Sequence, residues 1–360
     1  MRLDIGPSEF PRQMKGVTMK ALRLTRWGKP AELCEVSVPE AGPGQVVIKI
    51  AGAGVCHSDL HVMDWPEGQM PWKLPFTLGH ENAGHVHAIG AGVTGVREGD
   101  AVLLYGPWGC GRCHPCHLGR ENYCERAAEL VASGGGLGLD GGMAEYMLVP
   151  SPRFLVPLGK LDPVKAAPLT DAALTPYHAI RSSPIDPGAC AVVIGAGGLG
   201  QMAIQLLLAT TGARVIAVDK DRGKLDSARA LGAVPVPSDE AAAKAIRGET
   251  GGVGAELVLD LVGSAATLEL GAKALHSEGR LVIVGLAGGA LPVSFFGVPY
   301  GAQVATSYWG TLPELMEIVE LAQAGRIRMD VETFPLSRVS EAYDRLRRGQ
   351  IRGRAVIVPG

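Results

Sequence analysis

Hydrophobic and polar positions alternate with a period of two from Lys20 to about Val149, in β-branched runs such as "VVIKIAGAGV", "AGHVHAIGAGV" and "DAVLLYG" separated by Gly and Pro turns. That rhythm predicts a mostly antiparallel β domain. The first clear run, "MKALRLTRWG", opens at Met19, so residues 1–18 read as a loosely draped extension and Met19 resembles an alternative start. From about Pro168 the rhythm changes. "CAVVIGA" leads into "LGQMAIQLLLATTG", "RVIAVD" into "KLDSARALGA" and "AELVLDLVG" into "ATLELGAKALHSEG", with "RLVIVGL" and "QVATSYW" following. Strands alternating with helical stretches predict an α/β, doubly wound parallel sheet over 168–310. The tail reads as two amphipathic helices and a final strand that return to the first domain, which then comprises 19–167 and 311–360.

Composition narrows the function classes. With 360 residues, 47% hydrophobic and 19% charged, the chain can bury a large core in two domains. Lys and Arg total 34 against 36 Asp and Glu, so no positive field recruits nucleic acid or an anionic membrane. No apolar run approaches the roughly 20 residues that span a bilayer, and the N-terminus lacks the apolar stretch of a secretory signal. The expectation is a cytoplasmic protein with a small-molecule ligand.

Four of the seven cysteines, Cys110, Cys113, Cys116 and Cys124, crowd into "CGRCHPCHLGRENYC". In a reducing compartment that spacing favours a structural metal over disulfides, in a lobe at about 106–126. "VVIGAGGLGQMAIQLL" places Gly195, Gly197 and Gly200 as GxGxxG after a strand and at the start of a helix, with Gly198 inside the turn. Such a turn cradles a pyrophosphate at a helix N-terminus. Asp219, 19 residues beyond Gly200, suits the adenosine ribose hydroxyls and disfavours a 2'-phosphate, hence NAD, although Lys220, Arg222 and Lys224 lie close by.

Two further segments carry ligand chemistry: "GVCHSDLH" with Cys56 and "LGHENAGH" with His80, whose second ring nitrogen Asp59 can hold. A catalytic zinc commonly takes three protein ligands. Glu81 and Asp171 are both candidates for the third, and Asp171, in "PLTDAALTPYHA", also suits a helix cap.

The motifs "GVCHSD", "GHENAG", the four-cysteine lobe and "GAGGLG" together resemble the zinc-dependent medium-chain alcohol dehydrogenases, from Met19 to the C-terminus. "YGPWGCGRC", "GRENYC", "PLTDAALTPYHAI" and "RGRAVIVPG" are similar to the bacterial NAD-dependent secondary alcohol dehydrogenases, which also reduce ketones, aryl ketones included. The resemblance implies a GroES-like β domain joined to a Rossmann-type sheet. It implies catalytic zinc on Cys56, His80 and Asp171, with Glu81 behind the metal and a structural zinc in the lobe. Ser58 would touch the substrate oxygen and His61 would relay its proton, unless His61 only lines the pocket. Thr175 and Leu199 would support the nicotinamide; Val262, Gly263, Val284 and Gly285 would line the cofactor cleft. His57 and Lys224 complete the expected cofactor contacts, His57 at the pyrophosphate.

The implied reaction is reversible hydride transfer between an alcohol and NAD, with zinc as Lewis acid. Trp72, Leu137, Phe296 and Trp309, with Trp65, Trp108 and Tyr300, are the large side chains available to wall the pocket. They favour neutral aliphatic or aryl secondary alcohols, with primary alcohols as an extension. A polyol or amino-alcohol dehydrogenase is the competing reading, and a zinc-ribbon binding protein a remote one. By analogy the enzyme is expected as a homo-oligomer, a tetramer or a dimer.

Overall fold

A computed structural model describes residues 13–360. The strand Gln13–Leu24 pairs antiparallel with Glu32–Pro39 and with Phe76–Thr77. The first strand therefore begins at Gln13 rather than Met19: residues 13–18 of the expected extension belong to a sheet, and residues 1–12 lie outside the described part. The alternation could not show this start. Val17 is half exposed, and the added ladder is made by backbone pairing rather than by burial.

A second sheet runs in the order Leu155–Pro157, Ala101–Leu104, Glu81–Ile89, Val46–Gly54, Arg354–Val358, Val331–Pro335. It is antiparallel except for its last pair. The C-terminal strand lies beside the strand that delivers Cys56, with Ile357 opposite Ala53.

The third sheet has six parallel strands, in the order Val234–Pro237, Arg214–Asp219, Cys190–Ile194, Ala255–Asp260, Leu275–Ile283, Gln303–Thr306. Relative to chain order this is 3-2-1-4-5-6. The order reverses between Cys190–Ile194 and Ala255–Asp260, and ligands bind at the carboxyl ends of strands at such a point. Cys190–Ile194 is buried along its whole length, as a central strand covered on both faces must be.

Two local expectations change. The helix expected through "ALHSEG" ends at Ala274 and a strand starts at Leu275; Glu278, at φ 65°, lies inside that strand where its register against Ala255–Asp260 shifts. The strand Val234–Pro237 carries two prolines, which weaken a strand signal and are tolerated because it lies at a sheet edge. Among the described residues no helix is long and apolar enough to cross a membrane.

Candidate active site

The four lobe cysteines form one cluster, three of them buried. Cys113 Sγ lies 3.3 Å from Cys116 Sγ and 3.9 Å from Cys124 Sγ, and Cys110 Sγ 4.0 Å from Cys116 Sγ. A tetrahedron with Zn–S near 2.3 Å has edges of about 3.8 Å. The sulfurs fit that edge, and none is disulfide-bonded. Burial raises the buried thiols of the lobe; at Cys113 backbone N–H groups of Cys116 and Glu125 outweigh it and bring the pKa to about 7, whereas Cys116 and Cys124 stay raised.

The second cluster gathers Cys56, His80, Glu81 and Asp171, all buried, with one ligand atom from each within 4.8 Å of the others. Cys56 stands where Val46–Gly54 hands over to the helix His57–Asp64. Its backbone N–H donates to Asp59 Oδ2 at 3.0 Å, closing a capping box that fixes the Cys56 side chain. Glu81 opens the next strand opposite Gly54, where any Cβ would overlap the Glu81 carboxylate. Asp171 is not the N-cap of the following helix, a position held by Ala173, and closes the 3-10 turn Ala167–Thr170 at its C-terminal end. Its Oδ1 accepts the Thr175 hydroxyl at 2.6 Å, while the helix Leu174–Arg181 has no side-chain cap. Asp171 Oδ2 lies 3.5 Å from Cys56 Sγ and 3.9 Å from His80 Nε2. For a tetrahedral zinc with one sulfur, one nitrogen and one oxygen these edges fall at about 3.3–3.6 Å: the Cys56–Asp171 edge matches, and the His80–Asp171 edge is longer by a few tenths of an ångström, a difference one side-chain adjustment closes.

His80 Nδ1 lies 3.0 Å from Asp59 Oδ1, and neither atom has another polar partner. This contact leaves Nε2 facing the cluster, as a metal-bound histidine requires. Behind it Tyr343, on the helix Val339–Arg347, donates its hydroxyl to Asp59 Oδ2 at 3.0 Å. Burial opposes charge on His80, but Asp59 overcomes it and holds the pKa well above the ordinary value.

Arg354 is buried and donates from Nε to Glu81 Oε2 at 3.0 Å and from Nη2 to Glu81 Oε1; Nη2 also lies 3.5 Å from Asp171 Oδ2. Burial drives Glu81 up to a pKa of about 7, against Arg354 and with help from the Asp171 charge. Burial pushes Asp171 the same way, but His80, Arg354 and the Thr175 hydroxyl hold it below the usual range. The two carboxylates are thus distinguished. Glu81 is engaged by both arms of the guanidinium, whereas Asp171 keeps Oδ2 toward the sulfur and imidazole.

The glycine turn adjoins this cluster. Gly195 has φ 96°, and a Cβ on Gly200 would overlap the Gly195 carbonyl. A Cβ on Gly197 would meet nothing within 4 Å, which is the open cradle a pyrophosphate needs. Arg354 side-chain atoms lie 3.3 Å from the Cβ position of Gly198, so the guanidinium spans metal cluster and nucleotide turn. Asp219 Oδ2 accepts the Ala196 N–H at 2.8 Å and Oδ1 that of Asp221 at 2.9 Å. The carboxylate therefore shapes the turn and keeps lone pairs for further donors. Asp260 Oδ1 accepts the N–H groups of Val262 and Gly263, both at 2.9 Å, while its carbonyl takes those of Val284 and Gly285. All four predicted cleft residues thus hang on one buried strand end.

Ser58 Oγ lies 3.5 Å from Cys56 Sγ. His57 keeps solvent contact at its rim, yet surrounding protein atoms, then Arg354, His61 and Lys224, lower its pKa to about 4. His57 is therefore neutral near pH 7, and Lys224 and half-buried His61 lie close enough to bear on it. Thr175 is buried and Leu199 half-buried at the start of the nucleotide helix. Trp309, at φ 50°, sets its ring edgewise to His80 with centroids 5.5 Å apart and donates its indole N–H to Thr170 O at 2.7 Å. Leu137 is buried beside Gly136, which abuts the His80 backbone. Trp72 packs on Trp65 and Phe76.

Phe296 does not join them. It is 86% exposed, against Phe295 and beside Lys244, Arg247 and Lys273 on the outside of the nucleotide sheet. Its expected place in the pocket is corrected within this chain: hydrophobicity gave no address. Arg354, Tyr343 and Asp260 were missed as site residues. An arginine opening an apolar strand, a tyrosine on an amphipathic helix and an aspartate at a strand end carry no motif of their own.

Residues 42–160 match the family of alcohol dehydrogenase GroES-like domains and residues 198–324 the zinc-binding dehydrogenase family. The chain is 39% identical to an NAD-dependent alcohol dehydrogenase of Sulfurisphaera tokodaii, over 95% of this chain and 100% of that protein. It is 36% identical to the D-arabinose 1-dehydrogenase (NADP(+)) of Saccharolobus solfataricus, over 95% of this chain and 98% of that one. Among solved structures, the acetophenone reductase of Geotrichum candidum in complex with NAD superimposes with a TM-score of 0.83 at 31% identity, covering 95% of this chain and 97% of that one. With both halves matched and both metal-ligand clusters assembled, the chain belongs to the zinc-binding alcohol dehydrogenase family.

Proposed function

We propose that the protein catalyses reversible oxidation of neutral secondary alcohols to ketones with NAD, using one zinc at Cys56, His80 and Asp171 and a second, structural zinc in the lobe. The observation that carries this reading is Arg354, which reaches both the Asp171–Glu81 carboxylates and the glycine turn and so supports metal chemistry and cofactor sharing one cleft. When bound, zinc supplies Lewis-acid polarisation of the substrate oxygen and NAD supplies the hydride acceptor.

The chain's own residues do the rest. Asp59 orients His80, and Thr175 fixes the Asp171 rotamer through its hydroxyl. Ser58, beside the Cys56 sulfur, holds the substrate hydroxyl and receives its proton, and His61 on the same helix carries that proton toward solvent. Glu81 stays on Arg354 as a supporting carboxylate. Thr175, Leu199, Val262, Gly263, Val284 and Gly285 line the nicotinamide side of the cleft, Gly195, Gly197, Gly198 and Gly200 the pyrophosphate, Asp219 the ribose, with His57 and Lys224 at the rim.

Trp309 and Leu137 flank His80, so the space beside the cluster is apolar and suits an alkyl or aryl ketone. Similarity to the D-arabinose dehydrogenase favours a second reading, a sugar substrate with NADP, which Asp219 opposes by charge. A panel of 1-phenylethanol, 2-butanol, D-arabinose and sorbitol, each with NAD and NADP, separates the two. Higher kcat/KM for D-arabinose with NADP than for 1-phenylethanol with NAD overturns the first reading. We also place the enzyme in the cytoplasm as a homo-oligomer, a tetramer in the first instance; light scattering at micromolar concentration checks the assembly.

A further inference from the structure

The segment just before the last lobe cysteine is tied to the catalytic cluster by side chains that metal binding at the lobe does not require. Asn122, buried, donates from Nδ2 to Tyr308 O at 2.9 Å. The Tyr123 hydroxyl lies 2.9 Å from His178 Nε2, and His178 Nδ1 lies 2.8 Å from Glu314 Oε2. Glu314 in turn accepts the Thr311 N–H at 2.8 Å, and Leu312 N–H donates to Gly119 O at 2.8 Å. Residues 308–314 are therefore stitched to the lobe at three points.

That segment carries Trp309. Its backbone sits at φ 50°, a conformation a bulky residue holds only when its surroundings impose it. Its ring abuts His80, and its indole N–H is bonded to Thr170 O, one residue before Asp171. His178 belongs to the helix whose first turn carries Thr175, the partner of Asp171. Both arms from the lobe thus end on groups that fix His80 and Asp171.

We propose that the four-cysteine lobe acts on the catalytic metal through Asn122, Tyr123 and His178: these are positioning residues that hold Trp309 and the Asp171 turn where His80 and Asp171 converge. A filled lobe then tightens catalytic-metal binding and sharpens the ligand geometry, and the lobe is more than a clamp on global stability.

The inference rests on the reading that Cys56, His80 and Asp171 bind a metal, and the experiment separates the two. Metal analysis of the full-length enzyme, expected to give two ions per chain and one in Asp171→Ala, tests the reading; one ion in the wild type overturns both. Transfer of metal to a chromogenic chelator is then followed in Asn122→Ala, Tyr123→Phe and His178→Gln. The phase missing in Asp171→Ala marks the catalytic site. Arg126→Ala, in an exposed pair with Glu129, controls for general loosening of the lobe.

Loss of a hydrogen bond made directly to a metal ligand typically costs 10–100-fold in affinity; Asn122, Tyr123 and His178 act one bond further out, so catalytic-site release faster by up to about 10-fold is expected, with the lobe phase unchanged. With cobalt in the catalytic site, the visible ligand-field bands shift in the same variants, and kcat falls while KM for NAD stays constant. Wild-type release rate and cobalt spectrum in both Asn122→Ala and Tyr123→Phe, or equal acceleration of both phases, overturn the proposal.

Discussion

Arg354 grips Glu81 with two donors while its Nη2 stands 3.5 Å from Asp171, so one buried cation serves two carboxylates in the heart of the molecule. Removing it leaves Glu81, fully buried, beside Asp171 without compensation. Arg354→Met should destabilise the protein by about 3–5 kcal/mol in denaturant unfolding, and Arg354→Met with Glu81→Leu should regain part of that loss. A single variant as stable as the wild type contradicts the assigned pair.

Asp171→Ala removes the proposed third ligand and spares the lobe. The zinc count should fall from two to one per chain, and kcat by roughly 10²-fold or more, because Lewis-acid stabilisation is worth several kcal/mol. Two retained ions with normal turnover would make Glu81 the ligand in its place.

Asp219→Ala should have two effects at once: it loses the acceptor of the Ala196 N–H within the turn and the charge proposed to reject a 2'-phosphate. A charge-assisted hydrogen bond is worth about 1.5–3 kcal/mol, so kcat/KM for NAD should drop roughly 10–100-fold. The NADP to NAD ratio should rise in the same kinetics.

Glu314 sets a pH dependence of stability. Burial alone would raise its pKa, but the hydrogen bond and charge of His178, with Thr311, prevail and hold it below the ordinary carboxylate range. A lowered folded-state pKa contributes stability above about 4.5 that is lost as pH falls through the folded value. Glu314→Gln should therefore narrow the stability gap between pH 6 and pH 4 relative to wild type, read from urea midpoints. An unchanged gap rejects this role.

The lobe and the nucleotide turn were legible in the chain because their chemistry is local. Four cysteines within 15 residues and three glycines within six need only a short backbone path to converge. The parallel sheet was legible because βα units repeat their own rhythm. Between Asp171 and Glu81 residue type alone was silent and only the resemblance favoured Asp171, since both are carboxylates near the cysteine and the difference lies in which groups hold them.

The sequence by itself determined the four-cysteine group, the glycine turn and the doubly wound class, and it offered Cys56 and His80 as candidate ligands, all written in residue type at short spacing. Tertiary structure alone decided the rest. It brought Asp171 to Cys56 across 115 residues and Arg354 to Glu81 across 273, and it left Phe296 in solvent. Contacts at such separation depend on how sheets stack and where the C-terminal strand returns beside Val46–Gly54, and no local period encodes that distance.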